Sequence, residues 1–485
     1  MLNKELIELI GKIQEKRCEE QHIELKKASK GCPQKLYDTI SSFANQKGGG
    51  TIIFGIDEES DYAVTGVYNA QDLQKQVTEQ CNQMSPIVRP LFTVAEINKK
   101  SVVSAEIQEC EPNDKPCFYK GAGRLRGAFI RVGDSDMPMT EYEIYNFEVF
   151  RKKIHNELRV VERSDLSNLD KTKIDEYLFK VKKLKPNLAK LEEHKIFELQ
   201  GITQNDKPTI AGMMLFGVYP QGFWPQLSVT SVVVPGTELG DTGLNGERFI
   251  DNKRFDGTLS EMLNESIAFI NRNMQTSTIV KNGKRNDRTE YPIGAIREIV
   301  LNALIHRDYS IYTENSPIRI AMYSDRLEIS NPGGLFGRVT LETLGKSGAD
   351  TRNPYLANML EILSETENRF SGIPTILKEM QQHNLPPPLF ENVRGEFKVT
   401  LFNDNHKNFA NKTAHGGKTK DRILKFCEIP RSREDIAQHF NAKSVAYFTA
   451  RYIIPLVEDG TLKLTIPDKP KSKNQRFVAS KMSRM

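Results

Sequence analysis

Residues 297–310, REIVLNALIHRDYS, constrain this chain more than any other stretch. Leucine, isoleucine, valine and alanine fill most positions, which predicts a buried helix. Glu298, Asn302 and His306 nevertheless recur every fourth residue, so on a helix they stack along one face. A carboxylate, an amide and an imidazole in one line either satisfy one another or meet polar partners from elsewhere in the fold.

Three downstream stretches supply candidate partners. RLEISNPGGLFG reads as a strand ending in a tight glycine turn. LGKSGADTRNPYLANML reads as a loop and then a helix, with Asn353 as N-cap and Pro354 as first residue. RFSGIPTILKEM runs from a glycine turn straight into a helix N-terminus, whose free N–H groups and dipole attract phosphate. Opposite such turns, the amide oxygen of Asn302 suits Mg²⁺, a hard cation that prefers oxygen. Glu298, one turn away, can orient or deprotonate the water that attacks a γ-phosphate.

NALIHRDY, DRLEISNPGG, TRNP and SGIP follow one another in order and at compatible spacing. In this layout the chain resembles the GHKL ATPases, the group of DNA gyrase, MutL and sensor histidine kinases. It is most similar to a divergent branch found in bacterial regulators, over roughly residues 205–405. The resemblance implies a Bergerat-like α/β sandwich that binds ATP. It makes Glu298 the catalytic base and Asn302 the Mg²⁺ ligand, with His306 on the same face. Gly333 and Gly334 would line the base pocket, and Lys346, Arg352 and Gly372 would lie near the phosphates. Asn331 stands where typical members carry Asp. An amide can accept from an amino group or donate to a carbonyl, so adenine preference is weakened. SGIP is a sparse version of the family's glycine-rich lid, which implies slow hydrolysis.

The rest of the chain organises around this unit. A length of 485 residues suggests about three domains. With 38% hydrophobic and 27% charged residues, the composition is that of a soluble globular protein. No run approaches the roughly 20 apolar residues of a membrane span. The N-terminus, MLNKELIELIGKIQEKR, predicts an amphipathic helix and lacks the apolar core of a signal peptide. The six cysteines are scattered without a C-x-x-C pair, which points to free thiols in a reducing cytoplasm. The eight histidines show no zinc-ligand spacing.

Over residues 1–150, HIELKKA reads as a strand, PQKLYDTISSFAN as a helix and TIIFGID as a second strand, with SVVSAEI and GAFIRVG later. EEQHIELKKA, ISSFANQKGGGTIIFGIDE and KPCFYKGAGRLRGAFIRVGDSD resemble the Schlafen-type AlbA domain over about residues 15–135. The resemblance implies nucleic-acid binding. In some members it also implies metal-dependent RNA cleavage, with carboxylates placed as Glu19, Glu24 and Asp57 are here. Lys26, Lys27, Lys120, Arg124, Arg126 and Arg131 are candidate phosphate contacts. If the strands of Glu24 and Asp57 are neighbours, the carboxylates could converge on Mg²⁺ or Mn²⁺. Lys26, on the face of Glu24, offers the alternative of a salt-bridged sheet edge without chemistry.

Residues 151–204 are lysine-rich and predict a helical connector, and 406–418 read as a linker. Residues 419–485 predict three helices and a two-stranded wing, a winged helix-turn-helix with Ser432 capping its second helix. Residues 411–485 hold 16 Lys and Arg against 7 Asp and Glu, a net of +9 in a chain of net +5, so the remainder carries −4. That asymmetry suggests a polyanion partner for the tail. Lys443, Arg451, Lys469, Lys471, Lys473 and Arg476 are its candidate DNA contacts.

The expectation is therefore an α+β multidomain, cytoplasmic protein of bacterial regulatory or defence type. It would bind nucleic acid and ATP, with nucleotide state gating nucleic-acid engagement, and both resembled families imply a homodimer or higher homo-oligomer. A metal-dependent nuclease effector and a transcription regulator with a degenerate ATP site are the alternatives.

Overall fold

The computed structural model describes all residues except 19, 244, 282–283, 347–349, 365–371, 394, 405–422, 428, 441–448, 450–452, 454–455, 458–460, 466–474 and 480–485, and gives the backbone alone at 277–281, 284–287, 364 and 434. Its helices, in chain order, are α1 (Asn3–Lys16), α2 (Tyr37–Asn45), α3 (Ala70–Asn82), α4 (Arg124–Gly127), α5 (Glu141–Lys152), α6 (Lys171–Leu184), α7 (Glu193–Gln200), α8 (Ile210–Phe216), α9 (Leu259–Asn273), α10 (Ile293–His306), α11 (Pro354–Ser364) and α12 (Gly372–Gln382). A further helix spans Arg433–His439.

The first sheet orders its strands Ile23–Lys26, Gly50–Phe54, Lys100–Ile107 and Leu91–Ile97, the first pair parallel and the others antiparallel. Each face buries a separate core. Leu6, Ile10 and Ile13 of the amphipathic α1 cover Ile23, Leu25 and Ile53. Ile40 and Phe43 of α2, with Leu73 and Val77 of α3, cover Ile52 and Phe54.

Two local expectations are corrected. The first helix after the opening strand starts at Tyr37, not near Pro33. Gln80 holds the intervening segment, accepting from the Leu36 N–H at 3.0 Å and donating to the Pro33 carbonyl at 2.7 Å. TIIFGID is two strands rather than one, because the chain turns at Gly55, where φ is +99°. Asp57 therefore sits in a separate two-stranded ladder with Ala63–Val64, off the main sheet.

The second sheet has six strands in the order Asp251–Phe255, Val229–Val233, Ile318–Met322, Arg326–Pro332, Glu396–Phe402 and Leu389–Val393. Only Val229–Val233 and Ile318–Met322 run parallel. Its apolar residues share one core with α6, α8, α9, α10, α11 and α12. A two-stranded hairpin at Thr276–Lys281 and Lys284–Thr289 has no counterpart in the sequence reading. Among the described residues no helix is long and apolar enough to cross a membrane, and all six cysteines are unpaired.

Candidate functional site

The polar line of α10 exists as the sequence predicts. Ala295, Ile296, Ile299, Val300, Ala303 and Leu304 face the core, leaving Glu298, Asn302 and His306 on a half-buried face. Asn302 Nδ2 donates to Glu298 Oε1 at 3.3 Å, so the amide oxygen of Asn302 stays available to a cation. The first residue of α12 lies directly on this pair. A Cβ at Gly372 would run into Glu298 Oε1 and stand 3.0 Å from Asn302 Nδ2. Farther along α12, Glu379 Oε2 accepts from the Ala295 N–H at 2.7 Å, capping the start of α10, which has no side-chain cap of its own. The two helices thus exchange carboxylates at their N-terminal ends, where helix dipoles favour negative charge. Burial raises the Glu298 carboxyl above its usual range. The loop before α11 packs Gly345 against Ile373 of α12, and Lys346 beside it is exposed.

At its other end the line enters a buried polar node. Burial, with the nearby Arg352 charge, lowers the His306 imidazole to about 4. Asp308 is fully buried, and its carboxylate accepts from the Ser310 N–H at 2.9 Å, the Ser310 hydroxyl at 3.0 Å and the Tyr142 hydroxyl at 2.9 Å. The Arg352 guanidinium, only 2% exposed, faces it at 3.6 Å. Arg352 also donates to Asn146 Oδ1 at 3.0 Å and the Gly334 carbonyl at 3.2 Å, and lies over the Phe336 ring at 4.7 Å. Gly333, at φ +102°, brings its backbone against Asp308, where a Cβ would come within 2.8 Å of Asp308 Cβ. Asn353 Nδ2 bridges the Ile305 and Arg307 carbonyls at 2.7 Å each, joining the end of α10 to the start of α11. Asn331 is buried in its strand opposite Phe397.

This geometry differs from the predicted phosphate site at Arg352. Arg352 is turned inward, because a buried Asp308 carboxylate requires a compensating charge. Gly333 packs on Asp308 and Gly334 on Asn392. Tyr142 and Asn146 of α5 join the site without a signal in the sequence. The Thr140–Glu143 capping box announces that helix, yet nothing local says what its far face meets.

Of the predicted carboxylate triad, Glu24 and Asp57 each have their own cation. Glu24 pairs with Lys26 and, at 2.7 Å, with Arg131. Asp57 pairs with Lys27 at 2.5 Å and accepts from Ser60 at 2.8 Å, which lowers its carboxyl below the ordinary range. Glu19 lies outside the described residues. No group of three or more His, Cys, Asp or Glu among the described residues is placed to hold a metal ion. Arg131, expected to reach phosphate, is corrected: its side chain is 1% exposed and also binds Asp136 at 3.0 Å. Arg124 is tied to Glu148. Lys27, Lys120 and Arg126 are exposed, while Lys26 is partly buried.

In the last segment Ile423, Cys427, Ile436, Ala437, Ile453, Leu456, Leu462 and Phe477 form a separate small core. Ser432 caps its helix as predicted, accepting from the Asp435 N–H at 3.1 Å. Leu462–Leu464 pairs antiparallel with Phe477–Ala479. Arg476 is exposed; Lys443, Arg451, Lys469, Lys471 and Lys473 lie outside the described residues.

Known families account for these units. Residues 19–140 match the Schlafen AlbA_2 family, and residues 315–401 match the HATPase-type family described as "Putative ATP-dependent DNA helicase recG C-terminal". The chain carries a Schlafen AlbA domain and a RecG C-terminal-like, GHKL-related domain in a mixed α/β multidomain fold. Residues 148–222 match a domain of unknown function, and residues 421–478 match the C-terminal domain of Fic-like proteins (filamentation induced by cAMP). No curated protein matches the chain. Among solved structures, the DIP2311 protein from Corynebacterium diphtheriae is 17% identical, with 98% of this chain and 97% of that chain covered and a TM-score of 0.39. The N-terminal domain of a RecG-related protein from Nitrosomonas europaea is 24% identical, with 27% of this chain and 92% of that chain covered and a TM-score of 0.23.

Proposed function

We propose that this chain binds nucleic acid through its AlbA and C-terminal units, that its GHKL-related domain binds ATP with Mg²⁺, and that nucleotide state gates nucleic-acid engagement. The observation that carries this reading is the seat of α5. That helix directly follows the AlbA match, and its Tyr142 and Asn146 bind Asp308 and Arg352, beside the glycine turn at 333–334. A change in the turn on nucleotide binding would be felt by α5 first.

Asn302 fits a Mg²⁺ ligand because its amide nitrogen is spent on Glu298 and its oxygen is not. Glu298, a carboxylate held in partial burial, would orient or deprotonate the attacking water. Lys346 and the first-turn N–H groups of α12 would meet phosphate, with Pro374 removing one of those donors. Bound Mg²⁺ would neutralise charge on the phosphates.

A transcription regulator with a degenerate ATP site is the second reading. The inward commitment of Arg352 favours it. The nuclease alternative is weakened by the cation paired to Glu24 and to Asp57. The test measures affinity for labelled DNA and RNA with and without ATP and Mg²⁺. An ATP-dependent change that Tyr142→Phe removes supports gating. Nucleotide binding with no change in affinity supports the degenerate site, and absence of nucleotide binding rejects the ATP assignment.

A further inference from the structure

An open polar cleft of about 360 Å³ lies on the AlbA domain between α3 and the segment before α2, away from the carboxylates discussed above. That volume is at the small end of ligand sites. Its lining is rich in polar groups: Gln34, Gln76, Gln80 and Gln83 present amides, Asp72 and Glu79 carboxylates, and Lys75 an ammonium. Asp72 is engaged, accepting from the Tyr68 hydroxyl at 2.5 Å and from the Gln76 amide at 2.7 Å. Gln80 is consumed by the backbone of residues 33 and 36. Gln34, Gln83 and Glu79 are exposed.

An aromatic pair borders the cleft. Tyr37, the first residue of α2, stacks on Tyr119 with ring centroids 3.8 Å apart and planes 15° from parallel. The pair is fixed from both sides. Met84–Ser85 pairs with Phe118–Tyr119, and the Lys120 N–H continues the ladder to the Gln83 carbonyl at 3.0 Å. The Tyr37 hydroxyl donates to Gln83 Oε1 at 3.0 Å, which orients that amide and leaves its N–H₂ to donate. Lys120 is exposed beside it, with Nζ on the Asn82 carbonyl at 3.2 Å.

We propose that this cleft, bordered by Tyr37 and walled by Gln83 and Glu79, binds one unpaired nucleobase of a single-stranded nucleic acid, with Lys120 on the adjoining phosphate. The inference rests on the nucleic-acid-binding reading and gives it a substrate class. An aromatic side chain and the unspent amides of Gln34 and Gln83 are what an unstacked base meets, whereas a base inside a duplex hides both its faces. Lys120 supplies charge without sequence information. Glu79 accepts hydrogen bonds only, so it favours bases with an exocyclic amino group, cytosine, adenine and guanine, over thymine or uracil, whose one donor is a ring N–H.

The test is fluorescence anisotropy of the full chain with labelled 12-mers of oligo-dC, oligo-dA and oligo-dT, their RNA counterparts, and a blunt duplex. Tighter binding of the C and A strands than of T or U, with Glu79→Gln erasing the preference, is the expected result. Tyr37→Ala should weaken single-strand binding by about tenfold, and Tyr37→Phe, which keeps the ring, should not. Equal affinity for dC, dA and dT in the native chain, or a preference that survives Glu79→Gln, overturns the proposal. Glu79 is exposed, so this arm holds even if Tyr37→Ala fails to fold. Duplex binding without single-strand binding overturns this inference and leaves the broader reading standing. Absence of binding to every probe removes both.

Discussion

The Tyr142 hydroxyl donates to the Asp308 carboxylate across 2.9 Å, and 166 residues of chain separate the two. Asp308 is in turn balanced by Arg352 at 3.6 Å. Asp308→Ala should therefore leave a buried guanidinium uncompensated and cost on the order of 3–5 kcal/mol. Tyr142→Phe, which removes one hydrogen bond, should cost about 1 kcal/mol. Chemical denaturation of both variants checks the ranking; equal losses would show that the ion pair is not the larger contribution.

On α10, Asn302→Ala should abolish Mg²⁺-dependent ATP binding while leaving the fold intact. Glu298→Ala should keep binding and lose turnover. Titration calorimetry and phosphate release separate the two roles, and unchanged ATP affinity in Asn302→Ala would reject the metal assignment.

Glu157 gives a pH signature. Its side chain is fully buried, one carboxyl oxygen has no partner, and burial raises it from 4.5 to about 7. The folded state therefore prefers the protonated acid. This contribution is complete below pH 4.5 and is lost as pH rises through about 7, amounting to roughly 3 kcal/mol. His306 acts oppositely: lowered from 6.5 to about 4, it favours the folded state above 6.5 and withdraws that support as pH falls. Glu157→Gln should thus match the native chain near pH 4.5 and exceed its stability at pH 8. Melting curves at the two pH values decide; a constant difference between them would contradict the assignment.

In the first domain, Glu24→Ala strips Arg131 of one of its two carboxylates inside the protein and should destabilise by about 3 kcal/mol. Asp57→Ala removes an acceptor from an exposed Lys27 and from Ser60 and should destabilise less. Incubating both with RNA and single-stranded DNA, plus Mg²⁺ or Mn²⁺, addresses the nuclease alternative in the same samples. Metal-dependent cleavage by the native chain that both substitutions abolish would restore the carboxylates to a catalytic role.

Deleting residues 415–485 should weaken duplex DNA binding and flatten its salt dependence, because residues 411–485 carry a net charge of +9. Replacing Lys471 and Lys473 by Glu should do part of the same. A truncated chain with unchanged affinity and salt slope would assign this unit to a protein partner.

What could be read from the sequence follows the range of the forces involved. The α10 stripe, the start of α11 at Pro354 and the Ser432 cap depend on residues within one or two turns, and periodicity or capping chemistry exposes them. The surroundings of Arg131 and Arg352 are illegible in the sequence for the opposite reason. A basic residue looks the same whether it meets solvent or a buried acid, and their acids lie far away, Glu24 on another strand and Asp308 before two intervening strands. Gly55 divides a run of β-formers that alternation alone joins. The start of α2 depends on Gln80, a residue of the next helix.

The long reach of α5 has a consequence during synthesis. Tyr142 leaves the ribosome well before Asp308, and at about 5–20 residues per second the delay is roughly 8–33 s. For that time the side of α5 destined for the second domain has no partner, although the AlbA sheet behind it can already fold. The nascent chain therefore passes through a state with a completed first domain and a bare aromatic helix at its margin. Slower translation over residues 153–307 would prolong that state and raise the demand on chaperones.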